Sequence, residues 1–191
     1  SWKSQRLLLH FGAVDWQTTV WVNGKEVGQH TGGYDAFSFD ITAALKAAGD
    51  QEIVVAVWDP TDAGYQPRGK QIRNPHGIWY TPTTGIWQTA WLEPVPPSHI
   101  QALRITPNVD DSSVTIQANA LNSGGKPSRH VEVLDGRKVV QEGSLDRMIS
   151  TRSIPPQVAP NIKLSVPNPK LWSPDSPFLY GLRVTLLEDG K

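Results

Sequence analysis

Residues 16–22 alternate with a period of two: Trp16, Thr18, Val20 and Val22 share one face, and Gln17, Thr19 and Trp21 share the other. Side chains of an extended strand point to opposite faces in turn, so this spacing predicts a strand with one buried face. Asn23-Gly24 follows directly. Both residues tolerate positive φ, which makes the pair a tight hairpin turn, with residues 25–29 as the return strand. Gly32-Gly33 ends that strand, and residues 36–41 are extended again. The Val-rich run at 52–58 predicts a buried strand, and 86–92 a further one. Residues 42–48 hold at most about two helical turns. Short apolar runs separated by turn residues predict an all-β chain, and Gly and Pro at 16 each fit that pattern.

Pro94, Pro96 and Pro97 interrupt the pattern, because proline cannot donate to a sheet ladder. They place a linker at residues 95–99. Beyond it, Val114, Ile116, Ala118 and Ala120 alternate with polar residues. Residues 131–134 lead into Asp135-Gly136, a second hairpin signal, followed by Val139-Val140. Ile162, Leu164 and Val166 alternate, and residues 178–187 form the last predicted strand. About seven short strands over such a span match an immunoglobulin-like sandwich.

Several function classes are excluded or weakened. Lys plus Arg and Asp plus Glu are 18 each, so no cationic surplus favours nucleic acid or a polybasic membrane contact. No run approaches the roughly 20 apolar residues of a membrane span. The first residues lead straight into Arg6-Leu7-Leu8-Leu9, a strand rather than a signal peptide. The absence of Cys excludes disulfides and thiolate metal sites, and suits the cytosol or the periplasm. His10, His30, His76, His99 and His130 show no ligand spacing, so neither a metal nor a cofactor is expected. Gly64-Tyr65-Gln66-Pro67-Arg68-Gly69-Lys70 has the spacing of a phosphate-binding loop, but Gln71 stands where Ser or Thr would hold Mg²⁺. Pro75 and Gly77 follow, so no helix N-terminus completes the cradle. Asp35, Asp59, Asp62 and Glu93 show no pairing that marks a two-carboxylate glycosidase site, and there is no Gly-x-Ser-x-Gly elbow. No catalytic residue is expected in this chain.

What remains is the irregular segment 59–84, with Pro60, Pro67, Pro75, Pro82 and several glycines. Unstructured connections this long in compact domains are usually functional. Gln66, Arg68, Lys70, Trp79 and Tyr80 are the candidate substrate-binding residues, because planar polar groups beside aromatic faces suit hydroxyl-rich ligands. Docking on a protein surface is the competing reading of the same loop.

Several segments together resemble one family. They are Phe11-Gly12-Ala13-Val14-Asp15-Trp16; Val20-Trp21-Val22-Asn23-Gly24-Lys25-Glu26-Val27-Gly28; His30-Thr31-Gly32-Gly33-Tyr34 with Phe37; and Gly85-Ile86-Trp87 before Trp91-Leu92. These resemble the N-terminal sugar-binding domain of glycoside hydrolase family 2. Leu171-Trp172-Ser173-Pro174 and Pro177-Phe178-Leu179-Tyr180 resemble the end of that family's immunoglobulin-like domain. The resemblance implies a jelly-roll (galactose-binding-like) β-sandwich at 1–95, N-terminally truncated, and an immunoglobulin-like β-sandwich at 99–191.

It also implies a parent enzyme that hydrolyses β-glycosides by the retaining route, on a (β/α)₈ barrel carrying both catalytic glutamates. This chain has no Asn-Glu dipeptide of the kind that usually holds the acid. It is expected to scaffold that barrel and to contribute residues 59–80 to the substrate pocket, with no activity of its own. The family often has an Asp shortly before the Gly-Ile-aromatic motif; here Ile78, Trp79, Tyr80 and Thr81 stand there. A β-galactosidase-like parent is the first expectation. An autonomous carbohydrate-binding module and a purely structural docking pair are the alternatives. The expected partners are a carbohydrate substrate and the parent's barrel, with no nucleic acid and no membrane. An open sheet edge adds a possible homo-oligomer. A polysaccharide-degrading parent favours a periplasmic or extracellular location over a cytoplasmic one.

Overall fold

The computed structural model describes residue 2 and residues 4–121, 127–145 and 161–190. The chain divides into two compact units, Ser1–Pro96 and Pro97–Lys191, and both are all-β.

In the first unit the strands are β1 (Arg6–Phe11), β2 (Val14–Asp15), β3 (Gln17–Val22), β4 (Lys25–Thr31), β5 (Phe37–Asp40), β6 (Ile53–Trp58), β7 (Gly85–Ile86) and β8 (Ala90–Val95). They form antiparallel sheets in the orders β5-β1-β8 and β4-β3-β6, with β2 paired to β7. The alternation at 16–22 is realised in β3: Thr18, Val20 and Val22 are fully buried. Val20 and Val22 meet Leu7, Leu9 and Phe11 from the inner face of β1, and Val14 and Ile41 close the cluster. Burial of such side chains stabilises by about 1.5–3 kcal/mol each. The β3–β4 turn has φ of 52° at Asn23 and 79° at Gly24, so both residues take the left-handed conformation that the sequence predicts.

Residues 42–48 hold a single 3₁₀ turn, Thr42–Ala44, within the limit of about two turns. Two expectations in this unit are corrected. The run at 52–58 is an edge strand: among the described residues β6 pairs with β3 alone, and Ile53, Val54 and Trp58 are exposed. Apolar composition does not distinguish a central strand from an edge. The strand expected at 86–92 is two pieces, β7 and β8. The break lies opposite the Gly12-Ala13 break between β1 and β2: Gly12 N donates to Thr89 O (2.8 Å), and Ala13 O accepts from Trp87 N (3.3 Å). A Cβ on Gly12 would lie 2.9 Å from that of Gln88, so the close approach needs glycine.

The second unit contains β9 (His99–Asn108), β10 (Ser113–Leu121), β11 (Pro127–Asp135), β12 (Lys138–Leu145), β13 (Asn161–Ser165) and β14 (Gly181–Glu188). Two sheets, β13-β10-β9 and β12-β11-β14, enclose Ile116, Val131, Val133 and Leu164. Gly136, with φ of 61°, turns the β11–β12 hairpin. The final strand begins at Gly181 rather than at 178: Phe178 and Tyr180 instead pack edge to face, with ring centroids 4.9 Å apart. Each unit buries one core between two sheets, so the fold is two β-sandwiches.

Candidate functional site

The long loop leaves β6 at Asp59 and returns at Thr84, directly before β7. One carboxylate holds both ends. Asp59 Oδ1 accepts from Thr61 N at 2.7 Å, and Oδ2 accepts from Thr84 Oγ1 at 3.0 Å. An acid immediately after a strand bonding two residues ahead is an Asx turn, here with Thr61 at φ 53°. Gln66 is buried, and its Nε2 donates to Thr61 O at 2.7 Å. Farther along, Tyr80 N donates to Lys70 O (2.8 Å) and Ile72 N to Tyr80 O (3.2 Å). Gln71 Oε1 accepts from Thr83 N (2.5 Å), and buried Ile72 pins this part of the loop inward. The loop is therefore built on defined bonds rather than left as an open coil.

Its outer surface is aromatic and cationic. Tyr65 is fully exposed, Tyr80 and Ile78 are largely so, and Trp79 is partly so. Lys70 Nζ lies 5.8 Å from the Tyr80 ring centroid. Arg73 Nε donates to Asp62 Oδ1 at 2.7 Å, which holds the Asp62 carboxyl below the usual carboxylate range. Arg68 Nε is enclosed and meets no acceptor. Of the five residues the sequence singles out, Lys70 and Tyr80 adjoin each other, Trp79 follows them on the surface, and Arg68 sits in the turn closed by Gln71 N to Arg68 O (3.2 Å). Gln66 faces inward and positions the loop.

A neighbouring set of residues carries no sequence signal beyond its place in the resembling motifs. Asp15 is buried, and its carboxyl is pushed above the usual range by burial first and by the Asp59 charge second. Its Oδ1 would lie 2.7 Å from a Cβ on Gly33, so Gly33 is required there. Gly33 O accepts from Trp87 Nε1 at 2.7 Å, and Trp87 meets the Tyr34 ring edge-on at 5.8 Å. Asp15 and Asp59 are the carboxylate couple that the electrostatics selects. Asp15 lies against Gly33, and Asp59 bonds both ends of the loop.

In the second unit, His130, Glu132 and Glu142 bring their ligand atoms within 4.8 Å of one another on the β11–β12 face. Glu132 already accepts from Arg183 Nη1 (3.0 Å), and His130 Nδ1 meets Ser144 Oγ (3.0 Å). A groove of about 410 Å³ lies against Ile105, Val109, Val166, Trp172, Phe178 and Tyr180. Leu171, Trp172 and Leu179 remain exposed beside it.

Comparison with known proteins assigns this architecture. Residues 1–90 match the sugar-binding domain model of glycosyl hydrolases family 2, and residues 98–191 match the model described as glycosyl hydrolases family 2. The chain belongs to glycosyl hydrolases family 2. A Formosa agariphila protein with a provisional β-glucuronidase name is 33% identical over 95% of this chain and 21% of its own length. A Thermoanaerobacter pseudethanolicus β-galactosidase is 26% identical over the whole chain and 25% of the enzyme. Among solved structures, a family 2 member from Bacteroides cellulosilyticus covers all of this chain and 25% of its own, with a TM-score of 0.73 and 25% identity. A Bacteroides uniformis β-glucuronidase matches 98% of this chain and 23% of its own, with a TM-score of 0.75; at 23% identity this is a likeness of fold. This family 2 chain thus spans a quarter or less of the length of the relatives named here.

Proposed function

We propose that this chain is the non-catalytic N-terminal part of a β-glycosidase, a scaffold for a catalytic barrel that contributes the 59–84 loop to the substrate pocket. The observation that carries the reading is the loop itself. It is fastened from inside by Asp59, Gln66 and Ile72, and it presents Lys70, Trp79 and Tyr80 outward, with Arg68 half-buried among them. Rigid attachment below and aromatic plus polar groups above are what a hydroxyl-rich ligand requires. The domain limits proposed are 1–95 for the sugar-binding jelly roll and 99–191 for the immunoglobulin-like sandwich. The parent is proposed to be a retaining, β-galactosidase-like enzyme.

Incubation of the chain with chromogenic β-galactoside, β-glucuronide and β-mannoside tests the reading. No turnover is expected. Hydrolysis that a single substitution within the chain abolishes would overturn it.

The groove beside Trp172 and Leu179 favours a docking role for the second unit, because exposed apolar patches of this kind mark interaction surfaces. In this reading the second unit supplies the barrel contact and the first unit the sugar contact.

A further inference from the structure

We propose that His130, Glu132 and Glu142 form a binding site for a divalent cation of the zinc class on the outer face of the β12-β11-β14 sheet.

Strand register assembles the site. Val131 and Val133 point into the core of the second unit, so His130 and Glu132 share the opposite, outer face of β11. On β12, Glu142 stands directly across from Glu132, and Ser144 directly across from His130. The ligand atoms of His130, Glu132 and Glu142 all lie within 4.8 Å of one another. His130 Nε2 and Glu142 Oε2 are 3.5 Å apart, long for a direct hydrogen bond. A tetrahedral zinc ion about 2.0–2.2 Å from each ligand sets its ligand atoms roughly 3.5 Å apart. That pair therefore has the spacing of two ligands on one ion. The sequence gives no sign of the site, because His130 and Glu142 lie on different strands and only the register joins them.

Three features favour an ion over a plain surface ion pair. Like charges directly opposite in an antiparallel pair are destabilising, and Glu132 faces Glu142 in this way. A cation between them removes the repulsion. Next, the groups around the ligands orient them. His130 Nδ1 lies 3.0 Å from Ser144 Oγ. With Nδ1–H donating to that oxygen, the lone pair sits on Nε2, the nitrogen that faces Glu142. Arg183 Nη1 donates to Glu132 Oε2 at 3.0 Å, which steadies the carboxylate and leaves its other oxygen for a ligand bond. Finally, all three ligands stand on the paired strands of one hairpin, so their backbones are fixed before an ion arrives. One imidazole with two carboxylates suits zinc and neighbouring first-row ions. Calcium and magnesium are disfavoured, because they prefer about six or more oxygen ligands. The fourth tetrahedral position is left to water. The ion fastens β12 to β11, the strand it pairs with among the described residues.

The test is calorimetric titration of the chain with zinc chloride in a non-chelating buffer, joined to thermal unfolding with and without the ion. One Zn²⁺ should bind per chain, and the second unit should unfold at a higher temperature in its presence. His130→Ala and Glu142→Gln should each weaken binding at least about tenfold, with the fold unchanged by circular dichroism. The imidazole ¹⁵N signals of His130 should shift on adding Zn²⁺, and those of His10, His30, His76 and His99 should not. Zinc binding that survives in the His130→Ala, Glu142→Gln double variant places the ion elsewhere and overturns the proposal. An equal response to Ca²⁺ overturns it as well. So does absence of binding at free Zn²⁺ on the order of 0.1 mM.

Discussion

Gly64→Ala probes how the loop is held. A Cβ at residue 64 would stand 2.1 Å from Gln66 Oε1 and 3.1 Å from its Cδ, well inside contact distance. Gln66 must move, and its Nε2 then leaves Thr61 O, a buried bond of 2.7 Å. Breaking a buried hydrogen bond and leaving its partner unsatisfied costs about 1–3 kcal/mol. Urea denaturation of the first unit, followed by tryptophan fluorescence, should show a loss of that size. Gln66→Ala should show a similar loss, because it removes the same donor. The double variant is decisive: once Gln66 is truncated, the added methyl meets nothing at 2.1 Å, so its cost should largely vanish. Full additivity of the two single losses would refute the reasoning, because it would mean that Gly64 acts through its backbone rather than through Gln66.

Three further expectations follow from the same geometry. The fold raises the Asp15 pKa, so the folded chain holds that proton more tightly than the unfolded chain. The stability tied to it is fully present below the ordinary carboxylate range and is lost as pH rises through the raised value. Asp15→Asn should therefore be more stable than the wild type at neutral pH, and the gap should close on acidification, as measured by urea midpoints against pH. Phe11 is 2% exposed at the centre of the first core, so Phe11→Ala should cost about 3–5 kcal/mol by denaturant titration. Among the described residues no strand pairs with the outer edge of β6, which carries exposed Val54. Val54→Lys should reduce concentration-dependent association in sedimentation equilibrium, because edge lysines oppose strand-to-strand pairing.

What the sequence made legible was local. The β3–β4 hairpin rests on alternation and on Asn23-Gly24, and both signals are contained in a few residues. The core follows for the same reason: Thr18, Val20 and Val22 share a face by spacing alone. The edge position of β6 was not legible, because Ile53, Val54 and Val55 look the same whether one or two strands flank them. The break between β7 and β8 was hidden too, since it answers a break between β1 and β2 more than 70 residues earlier. At the site, the outward set of Lys70, Trp79 and Tyr80, with half-buried Arg68, could be proposed from residue type. The inward role of Gln66 could not, since its partner is a backbone carbonyl. The coupling of Asp15 to Asp59 crosses two sheets and has no sequence signature. The Asx turn at Asp59-Pro60-Thr61 does have one, and it was available as a sign of where the loop is fastened.

The central claim is that the first unit meets carbohydrate through the 59–84 loop. The most direct measurement is a ¹⁵N-resolved NMR titration of the chain with β-glucuronide and β-galactoside oligosaccharides, which detects weak contacts residue by residue. The account predicts that the perturbed amides and indole signals cluster at residues 65–80, Trp79 included. Perturbations that cluster instead on the groove at Trp172 and Tyr180, or that are absent throughout the loop, would contradict it.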